Sequence, residues 1–211
     1  MRYERKYKVE EISKSLVEEV IRLHPASFRK IYPDRQINNI YFDTPGLTAY
    51  KENVMGIASR KKYRVRWYGD DPHQVQSPKL EIKIKSNQLG YKESMNVAPF
   101  ELNQLRPLKE QIRRLFPHMV LHPVLLNAYR RSYYGTSDGR YRITIDEHLR
   151  YCSLLKTLQF TYFSIEDPSI VTELKYDAHL DNDVDAIMQH LPFRQTKSSK
   201  YVSGVDLTMA T

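Results

Sequence analysis

Four cations share one parity in the stretch Arg60-Lys61-Lys62-Tyr63-Arg64-Val65-Arg66-Trp67-Tyr68: Arg60, Lys62, Arg64 and Arg66. Tyr63, Val65 and Trp67 take the other. Successive side chains of a strand point to opposite faces. One face therefore carries four positive charges, and the other a surface fit for packing. The division recurs along the chain. Glu4, Lys6 and Lys8 share a parity. Lys79, Glu81, Lys83 and Lys85 alternate with Leu80, Ile82 and Ile84. Arg142, Thr144 and Asp146 oppose Tyr141, Ile143 and Ile145, and Glu173 and Lys175 oppose Leu174 and Tyr176. Cations alone suit simple anion binding. Lys6, Arg64, Arg66, Lys83 and Arg142 taken with Glu4, Glu81, Asp146 and Glu173 suit an anion together with a hard divalent metal, Mg²⁺ or Mn²⁺. That combination serves phosphoryl transfer, in which cations clamp phosphate oxygens, a metal offsets charge, and positioning supplies much of the rest. The same pattern also fits ion pairs on a solvated sheet, where cations protect strand edges. Periodicity alone leaves both open.

The elements that carry these residues follow from hydrophobic period and turn residues. Strands are predicted over Tyr3 to Val9, Ile37 to Thr44, Ser59 to Tyr68, Lys79 to Lys85, Val124 to Tyr134, Arg140 to His148, Leu154 to Ile165 and Ile170 to Tyr176. Gly69-Asp70-Asp71-Pro72 and Gly135-Thr136-Ser137-Asp138-Gly139 are turns. Helices are predicted over Glu10 to Leu23, stopped by His24-Pro25, over Glu101 to Phe116 as one helix or two around Pro107, and over Asp183 to Leu191. A short helix or turn covers Leu47 to Asn53. Asn87 to Pro99 is polar and reads as a loop. The predicted class is α+β in a single domain, 1–211. Its strands, each with one charged and one apolar face, close economically into an antiparallel β-barrel of about eight strands. The charges then lie inside and the helices pack outside.

Composition narrows the field. The chain has 211 residues, 33 basic and 25 acidic, for a net charge of +8 and a pI near 9.4. Such a balance favours polyanionic partners. Cys152 is the single cysteine, so an intramolecular disulfide is impossible and a reducing compartment is expected; it reads as a small buried apolar residue rather than a nucleophile. No P-loop, G-x-G-x-x-G, C-x-x-C or H-E-x-x-H pattern occurs, which excludes the usual nucleotide loops and zinc motifs. His24, His118, His122 and His148 read as surface or turn residues, and Tyr41-Phe42-Asp43 as strand core. No signal peptide or apolar run of membrane-spanning length is present, and a cytoplasmic location is expected. Nucleic acid is not expected as a partner, because the aromatics mostly alternate away from the cations.

Eight short motifs now line up in order: Tyr3-Glu4-Arg5-Lys6-Tyr7, Ile40-Tyr41-Phe42-Asp43-Thr44, Arg64-Val65-Arg66-Trp67-Tyr68-Gly69, Glu81-Ile82-Lys83, Tyr129-Arg130-Arg131, Arg142-Ile143-Thr144-Ile145-Asp146, Glu173-Leu174-Lys175 and Lys197-Ser198-Ser199-Lys200-Tyr201. Together they resemble the VTC domain, the polyphosphate polymerase domain of the triphosphate tunnel metalloenzyme, or CYTH-like, superfamily, in its prokaryotic stand-alone form. The resemblance implies a tunnel in which the γ-phosphate of ATP is transferred to a growing polyphosphate chain, with Mn²⁺ or Mg²⁺ as cofactor. A tunnel triphosphatase and a non-catalytic polyphosphate binder are the alternatives. The family's phosphate-binding residues carry over to Lys6, Arg64, Arg66, Lys83, Arg131, Lys197, Ser199 and Lys200, with Arg142 as a further strand cation. Arg64, Arg66 and Lys200 would be catalytic, and Glu173 would hold the metal. Arg60 and Lys62 are placed at the tunnel mouth. The superfamily's opening E-x-E-x-K is Arg2-x-Glu4-x-Lys6 here, which suggests fewer metal ligands. The chain leaves no room for the phosphate-sensing domain or membrane helices of the eukaryotic complex, so regulation and product export are not expected to be encoded in it, and membrane association would need a membrane-protein partner or the basic surface.

Overall fold

Alternation of charged and apolar residues makes strands of this chain wherever one face can be buried, and the computed structural model shows which. It describes residues 2–71, 74–86, 89–155 and 165–210. The strands are β1 (Arg2–Val9), β2 (Arg29–Asp43), β3 (Ser59–Tyr68), β4 (Gln74–Val75), β5 (Lys79–Ser86), β6 (Leu89–Asn96), β7 (Phe100–Glu101), β8 (His122–Gly135), β9 (Tyr141–Ser153), β10 (Ile165–Asp167) and β11 (Ile170–Asp177). The α-helices are α1 (Lys14–Arg22), α2 (Thr48–Val54), α3 (Arg106–Leu115), α4 (Asp185–Met188) and α5 (Lys200–Met209). Nine strands belong to one mainly antiparallel sheet, while β4 and β7 pair separately.

The described chain divides into two compact units. The first comprises 1–35, 129–149 and 167–198; the second comprises 36–128, 150–166 and 199–211. Each has its own core. In the first, Tyr7, Val9, Tyr141, Ile143, Ile145, Leu174 and Tyr176 from the strands meet Val17 and Ile21 of α1 and Ile187 of α4. In the second, Ile40, Phe42, Tyr63, Val65, Trp67, Leu80 and Ile82 meet Leu108 and Ile112 of α3. In both, the apolar parity of each strand enters the core, which leaves the charged parity on the opposite face.

Local chemistry sets the helix ends. Ser13 caps α1, its hydroxyl accepting from Leu16 N, and Glu11 has φ 61°. The helix therefore begins later than the predicted Glu10. Pro107 lies in the first turn of α3, where a missing N–H is harmless; one helix forms rather than two. Tertiary pairing overrides composition at Leu89–Asn96, predicted as loop. This stretch is a strand with every residue in register against β5, from Lys79↔Asn96 to Ser86↔Leu89. Strand β2 begins eight residues before the predicted Ile37, at Arg29. Helix α5 was not predicted at all. His24 does lie at a turn, but it is buried, with Nε2 2.9 Å from Ile187 O and Nδ1 accepting from Ala26 N. Cys152 is buried in the second core as expected, and burial pushes its thiol pKa up. Most of the predicted strand Leu154 to Ile165 lies outside the described residues, as does Pro72. Among the described residues no helix is long and apolar enough to cross a membrane.

Candidate functional site

The two charged faces are best read row by row across neighbouring strands. In the first unit β1, β11 and β9 are consecutive. One row is Lys6, Glu173, Thr144; the row on one side is Glu4, Lys175, Arg142, and that on the other is Lys8, Val171, Asp146. Glu173 is buried. Its carboxylate lies 2.9 Å from Lys175 Nζ, 3.4 Å from Lys6 Nζ and 3.7 Å from an Arg131 amine. Arg131, on β8, makes a fork onto Asp146: Nε donates to Oδ1 at 2.5 Å and Nη2 to Oδ2 at 2.6 Å. Burial alone would lower the Arg131 pKa, but the Asp146 carboxylate outweighs it and raises it well above the usual value. The chain after α4 runs back along β1. Thr196 N donates to Lys6 O, Lys8 N to Thr196 Oγ1, and Lys6 Nζ to Ser198 O.

In the second unit β3, β5 and β6 are consecutive, and the rows differ. They read Arg60, Lys85, Gly90; Lys62, Lys83, Lys92; Arg64, Glu81, Ser94; and Arg66, Lys79, Asn96. Glu81 is the only carboxylate in these four rows. Arg64 Nε and Nη2 donate to it at 2.8 and 2.7 Å, Lys92 Nζ lies at 2.5 Å, and Arg66 Nη1 at 3.7 Å. Burial would raise the Glu81 pKa, but Arg64, Arg66 and Lys92 outweigh it and hold it at about 2. Buried Arg66 is aimed by a short chain of amides, Nε donating to Asn39 Oδ1 at 2.9 Å and Asn39 Nδ2 to Asn127 Oδ1 at 3.2 Å.

Ser199 and Lys200 open α5 in this second unit. Ser199 caps the helix through Val202 N and also takes hydrogen bonds from Lys62 Nζ at 2.8 Å and Asn53 Nδ2 at 3.2 Å. Lys200 is buried. The helix is held by Asp43, whose carboxylate accepts from Tyr201 Oη at 2.6 Å and from Ala49 N and Tyr50 N of α2. Burial and this carboxylate push the Tyr201 phenol pKa well up. Gly204 lets α5 come close: a Cβ there would lie 2.4 Å from Tyr151 Cδ1 and 2.5 Å from Leu125 Cδ2.

The predicted residues thus gather by unit. Lys6, Arg131 and Glu173 meet in the first. Arg64 and Arg66 meet on Glu81 in the second, with Lys83 in the adjoining row and Ser199 and Lys200 at the start of α5. Arg142 and Lys197 are exposed. Several partners were missed. Lys62 reaches Ser199, and its parity with Arg64 and Arg66 was the available signal. Lys92 fell in the stretch read as a loop. Asn39 and Asn53 carried no sequence signal beyond strand and helix membership, and Asp43, although part of the Ile40 to Thr44 motif, was read as strand core. Arg60 donates to Ile57 O.

A divalent ion can be tested against this donor set. Among the described residues no three His, Cys, Asp or Glu side chains cluster for a metal. Glu173 does present a hard carboxylate, and across from it the buried Thr144 Oγ1 has no partner among the described residues. Magnesium is commonly held by one or two carboxylates, with waters and substrate phosphates completing the shell. The residues present fit that mode, and do not form an all-protein cage.

The whole chain was compared with known proteins. Residues 1–209 match the profile of the VTC domain. The chain belongs to the VTC domain family. Its fold is shared with two proteins provisionally described as adenylate cyclases. The first is from Vibrio parahaemolyticus (TM-score 0.56, 11% identity, 99% of this chain and 98% of that one). The second is from Bacillus halodurans (0.54, 13%, 94% and 94%). A conserved hypothetical protein of Pyrococcus furiosus is similar (0.54, 11%, 96% and 99%). Comparison with curated protein sequences gives no match. The VTC match spans both charged faces.

Proposed function

We propose that this VTC domain is a cytoplasmic, ATP-dependent polyphosphate polymerase whose charged strand faces line a closed β-barrel tunnel in one functional domain. One observation carries the reading: the row Lys62, Lys83, Lys92 sets three cations side by side on consecutive strands with no carboxylate in the row. Like charges directly opposite one another on a sheet are destabilising. A bound polyanion relieves that cost.

Lys6, Arg64, Arg66, Lys83, Arg131, Arg142, Lys197, Ser199 and Lys200 are the proposed phosphate ligands, with Arg64, Arg66 and Lys200 at the transferred group. The Asn39 and Asn127 amides keep Arg66 fixed, so its guanidinium meets the developing charge without reorganising. Glu173, with the Thr144 hydroxyl opposite, would hold Mn²⁺ or Mg²⁺. That ion would neutralise phosphate charge when bound. The terminal oxygen of the growing chain attacks the γ-phosphorus in line. The bond to the β,γ-bridging oxygen breaks, ADP leaves, and the chain is one phosphate longer. The phosphate chain is itself the nucleophile, so no protein nucleophile is required. With water as acceptor the same residues would hydrolyse triphosphates.

The test is to incubate pure protein with ATP and Mn²⁺ and resolve the products by size. Long acid-labile phosphate chains are expected. Orthophosphate alone would assign a tunnel triphosphatase instead, and tight binding without turnover a polyphosphate-binding domain.

A further inference from the structure

Most aromatics of this chain face away from the cations, but in the first unit a group of them does not. Tyr134 of β8 enters the core, so Tyr129, Arg131 and Tyr133 share the opposite, charged face. Arg131 lies over the Tyr129 ring at 5.3 Å. Two residues along, Tyr133 meets Tyr32 edge to face, with centroids 5.7 Å apart and planes at 89°. Arg35 lies over both, 5.3 Å from the Tyr32 centroid and 5.7 Å from that of Tyr133. Tyr129 is buried, but the far end of the group is accessible: Tyr32 is 44% exposed, Arg35 is exposed and Tyr133 is half-buried.

Two rings at right angles joined by a planar guanidinium form a corner for flat, electron-rich heterocycles. Nucleobases stack on tyrosine rings and on arginine planes, with modest discrimination among bases. Position adds to the argument. At strand rise, Tyr133 lies about 7 Å along β8 from Arg131, and Arg131 reaches Glu173 and, through it, Lys6. Tyr133 is therefore near enough to Arg131 to meet the sugar or base of a nucleotide whose phosphates Arg131 holds.

We propose that Tyr32, Arg35 and Tyr133 form a stacking site for the base of a nucleoside triphosphate whose phosphates are held by Arg131 and Lys6. The proposal rests on the phosphate-binding reading above and deepens it, since it adds recognition of the base to recognition of the phosphates. A flexible base from a nucleic-acid strand offers the same chemistry, so that source has to be separated.

The test compares three probes by calorimetry on the full chain: ATP, inorganic tripolyphosphate and a short oligo(dA). Wild type is set against Tyr133→Ala and against Arg35→Gln, whose exposed side chain can change without loss of fold. Each variant should bind ATP about tenfold more weakly while its affinity for tripolyphosphate stays within twofold. Equal losses for both probes, or no loss for ATP, would overturn the stacking site while leaving phosphate binding intact. If tripolyphosphate fails to bind wild type, the phosphate reading falls and the stacking site falls with it. Binding of oligo(dA) tighter than ATP, and sensitive to Tyr133, would overturn the assignment to a mononucleotide.

Discussion

Glu173 and Glu81 are both buried carboxylates on charged strand faces, each near three cations, yet their faces are built differently. In the first unit, carboxylates are distributed. Every row contains one, and Asp146 holds Arg131 in a fork. In the second, one carboxylate serves four rows and cations oppose cations. Ion pairing accounts for much of the first face. On the second face the row Lys62, Lys83, Lys92 holds no carboxylate of its own, and like charges opposite one another on a sheet are destabilising. On the reading proposed above, the second face would serve chiefly to bind anion, and the first to hold the metal and place the substrate.

Replacing the aimed cation of the second face should have the largest effect. Arg66→Ala should lower turnover by about 10²–10³-fold, the range for deletion of one preorganised donor at developing charge. Asn39→Ala should lower it less, because Arg66 is then present but unaimed. Steady-state rates with ATP and Mn²⁺ check both. If the Asn39 variant is indistinguishable from wild type, the amide chain has no part in aiming Arg66.

The two carboxylates should separate fold from function. Glu173→Gln should abolish metal-dependent activity with the smaller change in melting temperature. Glu81→Gln should chiefly destabilise, because it removes the buried carboxylate that Arg64 and Arg66 share. The pH dependence has a definite sign. The folded pKa of Glu81, about 2, lies below an unfolded value of roughly 4.3. Its contribution is therefore complete above the unfolded value and lost as pH falls from there toward 2. On the order of 3 kcal/mol is involved. Urea titrations from pH 7 to pH 2 should show that slope in wild type and lose much of it in Glu81→Gln. Equal slopes would mean that another carboxylate dominates acid unfolding.

What was legible in the sequence divides along similar lines. Strand parity found the charged faces, because alternation is a local property that survives folding wherever one face is buried. It located Arg64, Arg66, Glu81 and Glu173 on those faces. It could not give strand neighbours, so the row Lys62, Lys83, Lys92 and the role of Lys92 were out of reach; the residues meet only through pairing. Strand β6 was invisible because its polar stretch is held by the β5 ladder rather than by its own apolar face. Helix α5 was missed because Gly204 and a short apolar pattern argue weakly for a helix. Its stability comes from Ser199 at the cap, Asp43 on Tyr201, and close packing on Tyr151 and Leu125.

That close packing tests whether the second face depends on where α5 lies. Gly204→Ala adds a methyl where buried Tyr151 and Leu125 leave no room. It should cost about 1–3 kcal/mol by overpacking, measured by denaturant unfolding. Turnover should fall as well, because α5 begins with Ser199 and Lys200. A stable variant with normal turnover would show that the helix can shift without moving the site.

The smallest effect is the most direct test of the comparison. Lys83 faces Lys62 on one side and Lys92 on the other. Lys83→Gln removes one charge from the middle of that row and keeps most of the aliphatic stem. On an ordinary solvated face, loss of a lysine changes stability little or lowers it. Here the substitution should raise stability by about 0.2–1 kcal/mol. The gain should shrink as salt is added, since the relieved repulsion is screened. The same variant should bind tripolyphosphate more weakly than wild type. Added tripolyphosphate should therefore stabilise wild type more than Lys83→Gln and reverse their order of melting. The reversal is what distinguishes a face kept for an anion from a face of surface ion pairs, because ion pairs would give the variant the lower stability with or without ligand.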